Sequence, residues 1–361
     1  MQEMLTIKGM HVGEQHFTGT DEDLVFCRQL GVEYIGATPP GKLVKSENVC
    51  WYLQPLGNDL GFPFSKGQSG EDLEGEGYWN LDLLLRFRER IESFGLKWAM
   101  SGLPRYPSIG LGTPERDRDI EKVCKNIEIA SKAGVSILSG GVGMGLGVVR
   151  SPGWVSGRGA IMQRHFDYEE MKNEPPHPAG PISAEQAWER IEYFIKRVVP
   201  VAEEYRVKLA WHPNDVPVPP GTPYRGIMPV LNNIDGLKHL IDLHSSPYHG
   251  LLFCQGCVSE FSTDPEQVYE AIRYFGERKK IFWVHFRNIR GGLLKFAEAF
   301  PDDGDIDMVK ALRIYKEVGY NGVLVPDHVP LSAVDTRWGH RAHAFCIGYI
   351  KALIQAVELE N

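Results

Sequence analysis

Short apolar runs alternate with longer segments of helical period along most of the chain. The runs are brief, and several are almost wholly apolar, as strands covered on both faces of a sheet are. This alternation is typical of βαβ units arranged around a parallel sheet. The predicted strands lie at 5–10, 34–37, 96–101, 136–139, 207–212, 251–254, 281–285 and 323–326.

Each predicted strand is followed by a segment of helical period. Ser183 with Gln186, and Thr263 with Glu266, fit a capping box at two of the helix starts. Eight strand–helix units in succession predict an α/β fold, a (β/α)8 TIM barrel that forms a single domain over residues 1–361. The predicted helices lie at 21–30, 80–94, 114–133, 184–205, 235–244, 264–275, 306–318 and 338–358.

Two long insertions interrupt this rhythm, at 44–78 and 140–182, and both are rich in Gly, Pro and polar residues. They follow the second and the fourth predicted strand. In a TIM barrel such insertions extend loops at the C-terminal face, where substrates bind, so we expect them to wall the pocket. A surface or oligomer-contact role is the alternative.

Composition and charge limit the kinds of molecule that the protein is expected to bind. A formal net charge of -8 disfavours a nucleic-acid footprint and favours a small-molecule substrate. The apolar stretches are shorter than the roughly 20 residues of a membrane span, and residues 1–10 lack the pattern of a signal peptide. The few scattered cysteines are unlike those of a disulfide-stapled secreted domain. We expect a cytoplasmic protein that does not bind membranes, with homo-oligomers as an option.

Four predicted strands end in residues that can bind a divalent metal. These are His212, Cys254, His285 and Asp327, after the fifth to the eighth strand. Parallel barrel strands deliver their carboxyl ends to one rim, so we expect these side chains to converge. Two imidazoles, a thiolate and a carboxylate can hold a dication and leave positions open for substrate oxygens.

Cys254 and Cys257 also form a C-x-x-C pair, which in a cytosolic protein can be a redox centre. That interpretation requires a helix that starts at the first cysteine. Because Cys254 ends a predicted strand and Gly256 follows, we favour the metal site.

An ordered series of motifs resembles the mannonate dehydratases of hexuronate breakdown, which are built on a xylose-isomerase-like barrel. The resemblance covers most of the chain and falls on the strand ends chosen above. Its motifs are Ile109-Gly110-Leu111-Gly112 with Arg116-Asp117, Pro200-Val201-Ala202-Glu203-Glu204, His212-Pro213 with Asp215, Phe253-Cys254, Val284-His285-Phe286-Arg287-Asn288, Gly304-Asp305 with Asp307-Met308, and Pro326-Asp327-His328.

The resemblance implies a metal-dependent hydro-lyase that converts D-mannonate, or a closely related sugar acid, to 2-keto-3-deoxy-D-gluconate and water. It implies Mn²⁺ on the four ligands, with Zn²⁺, Co²⁺ and Fe²⁺ as alternatives, since thiolate and imidazole also suit zinc. His328 matches a histidine that transfers protons in the family, and orientation of a ligand is its alternative role. Arg287 and Asn288, with Arg225 from a nearby loop, are candidates for binding the substrate.

The chain departs from the family after the eighth strand. The family has a tyrosine there that is thought to transfer a proton, whereas this chain reads Trp338-Gly339-His340-Arg341-Ala342-His343. His340, or His343 one turn later, is the expected replacement, because imidazole carries protons near neutrality. The departure leaves open a sugar isomerase or epimerase that works through an enediolate, and a protein that binds a sugar acid without turnover.

Overall fold

The structure, a computed structural model, describes residues 4–17, 19–39, 73, 77–142, 145–336 and 339–360. Eight parallel strands close into a barrel in the order β1-β13-β10-β9-β8-β4-β3-β2, which confirms the predicted fold class. The barrel strands are β1 (Met10–Glu14), β2 (Tyr34–Gly36), β3 (Lys97–Gly102), β4 (Ile137–Gly140), β8 (Lys208–Trp211), β9 (His249–Cys254), β10 (Ile281–His285) and β13 (Gly322–Val325).

Helices cover the outside of the barrel and pack on it through a large apolar cluster. The helices are α1 (Asp21–Gln29), α2 (Leu81–Ser93), α3 (Pro107–Leu111), α4 (Arg116–Lys132), α5 (Tyr168–Met171), α6 (Ala184–Tyr205), α7 (Ile234–Asp242), α8 (Gln255–Glu260), α9 (Pro265–Glu277), α10 (Met308–Glu317) and α11 (His340–Leu359). The predicted helix starting at 338 begins at His340, and residue 338 lies outside the described residues.

The first strand was predicted wrongly at 5–10. It runs over Met10–Glu14, and Leu5 and Ile7 instead pack against the apolar cluster inside the barrel. The strand requires glycine at position 13, because a Cβ there would lie 2.3 Å from Val323 Cγ1. A run with two polar residues and a glycine lacks the apolar pattern of a buried strand.

The helix starts follow the predicted capping chemistry in part. The Ser183 and Gln186 capping box is present at the start of α6. The Thr263 and Glu266 box is wrong, because Asp264 caps α9 and accepts a hydrogen bond from the Glu266 amide. An aspartate at the N-cap accepts such a bond as readily as threonine does.

The insertion after β4 carries a small sheet to the C-terminal face of the barrel. It contains β5 (Val155–Ser156), β6 (Met162–Gln163) and β7 (His165–Asp167). β7 pairs antiparallel with β12 (Lys295–Ala299), which pairs with β11 (Asn288–Gly292). Most of the other predicted insertion, 44–78, lies outside the described residues.

Among the described residues, α11 is the helix long and apolar enough by length and composition to cross a membrane. It packs against β1, α10 and β13 as the last helix of the barrel. Such a helix shares its apolar character with ordinary core helices, because one face is buried by the fold.

Candidate active site

The four predicted metal ligands point to the barrel axis at its C-terminal rim. Side chains alternate along a strand, so a residue two positions after an interior side chain faces the interior as well. Ala210, Leu252, Trp283 and Val325 belong to the buried cluster inside the barrel. The four ligands stand two positions after them, and they are His212, Cys254, His285 and Asp327.

The ligand atoms lie within reach of one cation. His285 Nδ1 is 3.3 Å from Asp327 Oδ2, and Cys254 Sγ is 3.8 Å from that oxygen. The rings of His212 and His285 have centroids 5.2 Å apart. The ligand atoms of Cys254, His285 and Asp327 all lie within 4.8 Å of one another, as do those of His212, Cys254 and Cys257.

Each candidate histidine is held by its other ring nitrogen. His212 Nδ1 lies 2.7 Å from the Pro213 carbonyl oxygen, and His285 Nε2 lies 2.9 Å from the side-chain amide of Gln15. The Nδ1 of His285 is buried and faces Asp327 Oδ2 at 3.3 Å, inside the ligand cluster. Metal-binding histidines are oriented in this way, with the second nitrogen bonded to a carbonyl or amide and the first free for the ion. The donor set therefore fits a divalent metal.

The electrostatics of the cluster keep its anionic groups ionised. Burial would raise the pKa of the Cys254 thiol, but hydrogen bonds with the side chains of Cys257, His212 and His285 lower it well below its usual value. Burial would lower the pKa of His285, but Asp327 and Cys254 raise it to about 10. Burial would raise the pKa of Asp327, but the neighbouring His285 and His328 hold it well below its ordinary value. A thiolate and a carboxylate are the forms that bind a metal.

A buried network of charges lies beside the ligands. Arg150, brought in by the insertion after β4, donates to Asp215 at 2.5 Å, Glu260 at 2.9 Å and Glu298 at 2.9 Å. Arg287 donates to Glu298 at 2.6 Å and also to Glu260. Burial, with the neighbouring Asp215 and Glu298, raises the pKa of Glu260 well above its usual value, despite the two arginines. The network therefore sets two guanidinium groups against the carboxyl groups of Asp215, Glu260 and Glu298, and the raised pKa of Glu260 favours its neutral form.

His328 lies between this network and the candidate ligands. Its Nδ1 is 2.9 Å from Glu298 Oε1, and its Nε2 is 3.6 Å from Asp327 Oδ2. Burial alone would raise the pKa of Glu298, but Arg287, His328 and Arg150 lower it, so the carboxylate stays charged. A carboxylate that accepts from Nδ1 leaves Nε2 able to take up or release a proton at the site.

The three residues predicted to bind substrate lie in different surroundings. Arg287 is fully buried, its Nε and Nη2 pair with Glu298 and Glu260, and its Nη1 faces Cys254 Sγ at 3.9 Å. Asn288 is buried and donates to the carbonyl oxygens of Pro301 and Ile306. Both side chains are thus held by protein groups, and substrate binding by them stays a prediction. Arg225 donates to the Pro175 carbonyl in an exposed loop, which leaves its role untested.

His340, predicted as a catalytic residue, is held at the start of α11 by two partners. Its Nδ1 lies 2.6 Å from Thr336 Oγ1 and its Nε2 lies 3.2 Å from Asp23 Oδ1. Its ring packs against Phe17 and Phe26. These contacts connect α11 to α1, and they give no support to proton transfer by this residue.

A helix does begin at the C-x-x-C pair, contrary to the sequence analysis. Cys254 is the N-cap residue of α8, and both Cys254 and Cys257 are free. Glycine is needed between them, because a Cβ at position 256 would lie 2.6 Å from Arg287 Cδ. The helix places the Cys257 amide 3.4 Å from the Cys254 sulfur, and the neighbouring Cys257 side chain lowers the pKa of the Cys254 thiol.

Sequence reasoning missed Gln15, Arg150 and Glu298. Gln15 stands two positions after Gly13 and so faces the barrel interior, but the wrong first strand hid this position. Arg150 lies in an irregular insertion. Glu298 is a buried acidic residue in the predicted loop after the seventh strand, and its charge among the apolar residues 296–300 was the available signal.

A closed eight-stranded barrel with a rim of two histidines, a cysteine and an aspartate defines an enzyme of the xylose-isomerase-like barrel class. The sequence pattern of the D-mannonate dehydratase (UxuA) family matches residues 149–361, and the chain belongs to that family of hydro-lyases. The matched region contains all four candidate ligands and His328.

Individual relatives agree with this assignment. The chain is 29% identical over 289 residues to mannonate dehydratase 2 of Halalkalibacterium halodurans, a match covering 70% of this chain and 79% of the relative. It is 28% identical over 315 residues to the mannonate dehydratase of Thermotoga maritima, covering 73% and 80%.

Solved structures share the fold. The mannonate dehydratase of Streptococcus suis serotype 2 superposes with a TM-score of 0.80 at 23% identity, covering 97% of this chain and 94% of that one. An L-ribulose 3-epimerase superposes with a TM-score of 0.53 at 15% identity, covering 97% and 96%.

Proposed function

We propose that this enzyme dehydrates D-mannonate, or a closely related sugar acid, to 2-keto-3-deoxy-D-gluconate and water. The observation that carries the proposal is the inward position of His212, Cys254, His285 and Asp327 on four adjacent barrel strands. Family membership supports a hydro-lyase on this site. The four residues would hold a divalent metal, with Mn²⁺ as the first candidate and Zn²⁺, Co²⁺ and Fe²⁺ as alternatives.

Dehydration removes the proton beside the carboxylate, at C2, and the hydroxyl group at C3. The bound cation supplies Lewis acidity for substrate oxygens as negative charge develops next to the carboxylate. The electron pair of the C2–H bond forms the C2–C3 double bond while the hydroxyl leaves with a proton as water. The resulting enol takes up a proton at C3 and becomes the 2-keto-3-deoxy acid.

The protein's part in this reaction is proton transfer by His328. Its Nε2 faces the ligand cluster, at 3.6 Å from Asp327 Oδ2. Glu298 accepts from Nδ1 at 2.9 Å and stabilises the imidazolium that forms when Nε2 takes up a proton. Glu298 is a positioning residue in this scheme, and the two arginines keep it ionised.

The test removes a ligand and the proton carrier separately. The protein is stripped with a chelator, restored with Mn²⁺, and assayed with D-mannonate for a keto-deoxy acid. Cys254→Ala should lose metal and turnover together. His328→Ala should keep the metal and lose turnover by about 10²- to 10⁴-fold, the usual contribution of general acid–base catalysis.

Cys124→Ala is the matched control, because that free thiol is partly exposed on α4. It should behave like the wild-type enzyme. Turnover that survives Cys254→Ala with metal content unchanged would refute the ligand set. Full activity in His328→Ala would refute its role.

An isomerase or epimerase using the same enediolate is the alternative, and the product decides between them. Such an enzyme would give a sugar of unchanged composition instead of a keto-deoxy acid. Tight metal binding with no turnover on a panel of sugar acids would favour a binding protein. We also propose one domain over residues 1–361 and a cytoplasmic location, and homo-oligomerisation is an option that sedimentation can test.

A further inference from the structure

A second group of metal-binding side chains lies outside the barrel interior. Gly13 and Gln15 face inward, since a Cβ on Gly13 would meet Val323 and Gln15 reaches His285. Glu14 between them therefore points outward, to the helical layer where α11 packs on β1. There it meets His343 from the first turn of α11 and His16 from the loop after β1.

The three side chains have the spacing of metal ligands. His343 Nδ1 lies 3.0 Å from Glu14 Oε2, and His16 Nδ1 lies 3.3 Å from Glu14 Oε1. A tetrahedral Zn²⁺ with bonds near 2.1 Å separates its ligand atoms by about 3.4 Å. One ligand atom from each residue lies within 4.8 Å of the other two.

Two histidine pairs among the described residues have similar geometry. The rings of His16 and His343 have centroids 5.1 Å apart and planes inclined at 63°. The corresponding values for the candidate ligands His212 and His285 are 5.2 Å and 52°. The outer pair is thus arranged like the pair at the candidate active site.

Glu14 is a buried carboxylate that faces two imidazoles. Its side chain is fully buried, and its ion-pair partners in the described part of the chain are His16 and His343. The backbone amides of Gln15 and His16 donate to Oε1 at 2.7 and 2.8 Å and fix the carboxylate. In the described part of the chain no lysine or arginine pairs with this carboxylate, and a buried carboxylate faced by imidazoles is stabilised when a dication binds between them.

We propose that Glu14, His16 and His343 form a second divalent-cation site, of the Zn²⁺ type, that ties the start of α11 to the end of β1. Two histidines and a glutamate are an established zinc ligand set, and solvent completes the coordination. The site is separate from the four ligands at the rim, because it lies on the opposite face of β1. It contains no sulfur, which makes the two sites distinguishable by spectroscopy.

The test uses Co²⁺ as the probe on the full-length protein after dialysis against a chelator. Metal content per chain and the absorption spectrum are measured for the wild type, Cys254→Ser, His343→Ala and His16→Ala. The wild type should bind about two Co²⁺ per chain, with a sulfur-to-cobalt charge-transfer band from Cys254. Cys254→Ser should lose that band and keep about one Co²⁺.

His343→Ala and His16→Ala should each lose about one Co²⁺ and keep the charge-transfer band. His340→Ala is the matched control for metal content, because it lies in the same helical turn but is paired with Asp23. His16 is partly exposed, so its replacement tests the site even where His343→Ala fails to fold by circular dichroism.

Wild-type stoichiometry in both histidine variants would overturn the second site. So would a Cys254→Ser protein that binds no Co²⁺ at all. Neither readout uses turnover, so failure here is separable from failure of the dehydratase assignment.

Discussion

Replacing Glu298 with glutamine removes the charge that connects the buried arginines to His328. Its two oxygens lie within 3.1 Å of nitrogens from Arg150, Arg287 and His328, and the side chain is fully buried. Glutamine has the same shape, but its amide group would face guanidinium donors and leave them unpaired. Breaking a buried ion pair by removing one partner costs about 3–5 kcal/mol. We expect a loss of free energy of unfolding of that size.

The same change should reduce turnover through His328. Loss of a carboxylate that orients a histidine at a metal site typically lowers activity by about 10- to 100-fold. Because Glu298 does not touch the ligand cluster directly, metal content should stay at the wild-type level. The fall should appear in kcat, because Glu298 orients the His328 ring that transfers the proton.

Urea unfolding followed by circular dichroism measures the free energy of unfolding. Steady-state assays measure kcat, and metal analysis measures the metal content. Glu189→Gln is the control, because Glu189 forms an exposed pair with Arg116 on the protein surface. Exposed pairs contribute about 0–1 kcal/mol. A Glu298→Gln enzyme whose free energy of unfolding lies within about 1 kcal/mol of the wild-type value, with an unchanged kcat, would refute the role of the network.

Three further predictions concern His249, Gly304 and Gln15. Burial lowers the pKa of His249 to about 4, so native His249 is neutral and the unfolded chain binds its proton first as pH falls below 6.5. The stability that this residue contributes is present above pH 6.5 and is lost towards pH 4, by about 2–3 kcal/mol between pH 7.5 and 4.5. In urea unfolding at several pH values, His249→Gln should remove this pH dependence, and an equal pH dependence in the variant would contradict the prediction. Gly304→Ala should destabilise the protein by about 1–3 kcal/mol, because the new Cβ would lie 2.2 Å from Asn288 Cγ. Gly348→Ala is the control and should be neutral or stabilising, because open space surrounds that position. Equal melting temperatures of the two variants would contradict this prediction. Gln15→Ala should weaken Mn²⁺ binding about 10- to 100-fold by freeing His285 Nε2, and titration calorimetry that finds wild-type affinity would exclude this role.

The barrel and its four ligands were predictable because both follow from simple periodicities. Apolar strands covered on both faces have a visible pattern, and parallel strands bring their carboxyl ends to one rim. That argument needs no knowledge of loops. It selected Cys254 and Asp327 although they are 73 positions apart.

The remaining features depend on tertiary contacts that sequence patterns do not carry. Leu5 and Ile7 have the character of strand residues, but they pack against the apolar cluster inside the barrel. The strand is instead formed by Met10–Glu14, which includes two polar residues and a glycine. Arg150 lies on the insertion after β4, and Glu298 lies on β12, outside the barrel. The pairing of β7 with β12 brings the insertion next to Glu298, and Arg150 donates to it. His340 seemed a replacement for tyrosine by position, yet Asp23 and Thr336 hold it.

The most direct test of the dehydratase assignment is the reaction of D-mannonate with the Mn²⁺-loaded enzyme in D₂O, followed by nuclear magnetic resonance. Elimination followed by protonation of the enol predicts a 2-keto-3-deoxy acid that carries one solvent deuterium at C3. The product should be absent from the chelator-stripped protein and from Cys254→Ala. A sugar acid or ketose of unchanged composition, or no reaction by a fully metal-loaded enzyme, would contradict the assignment.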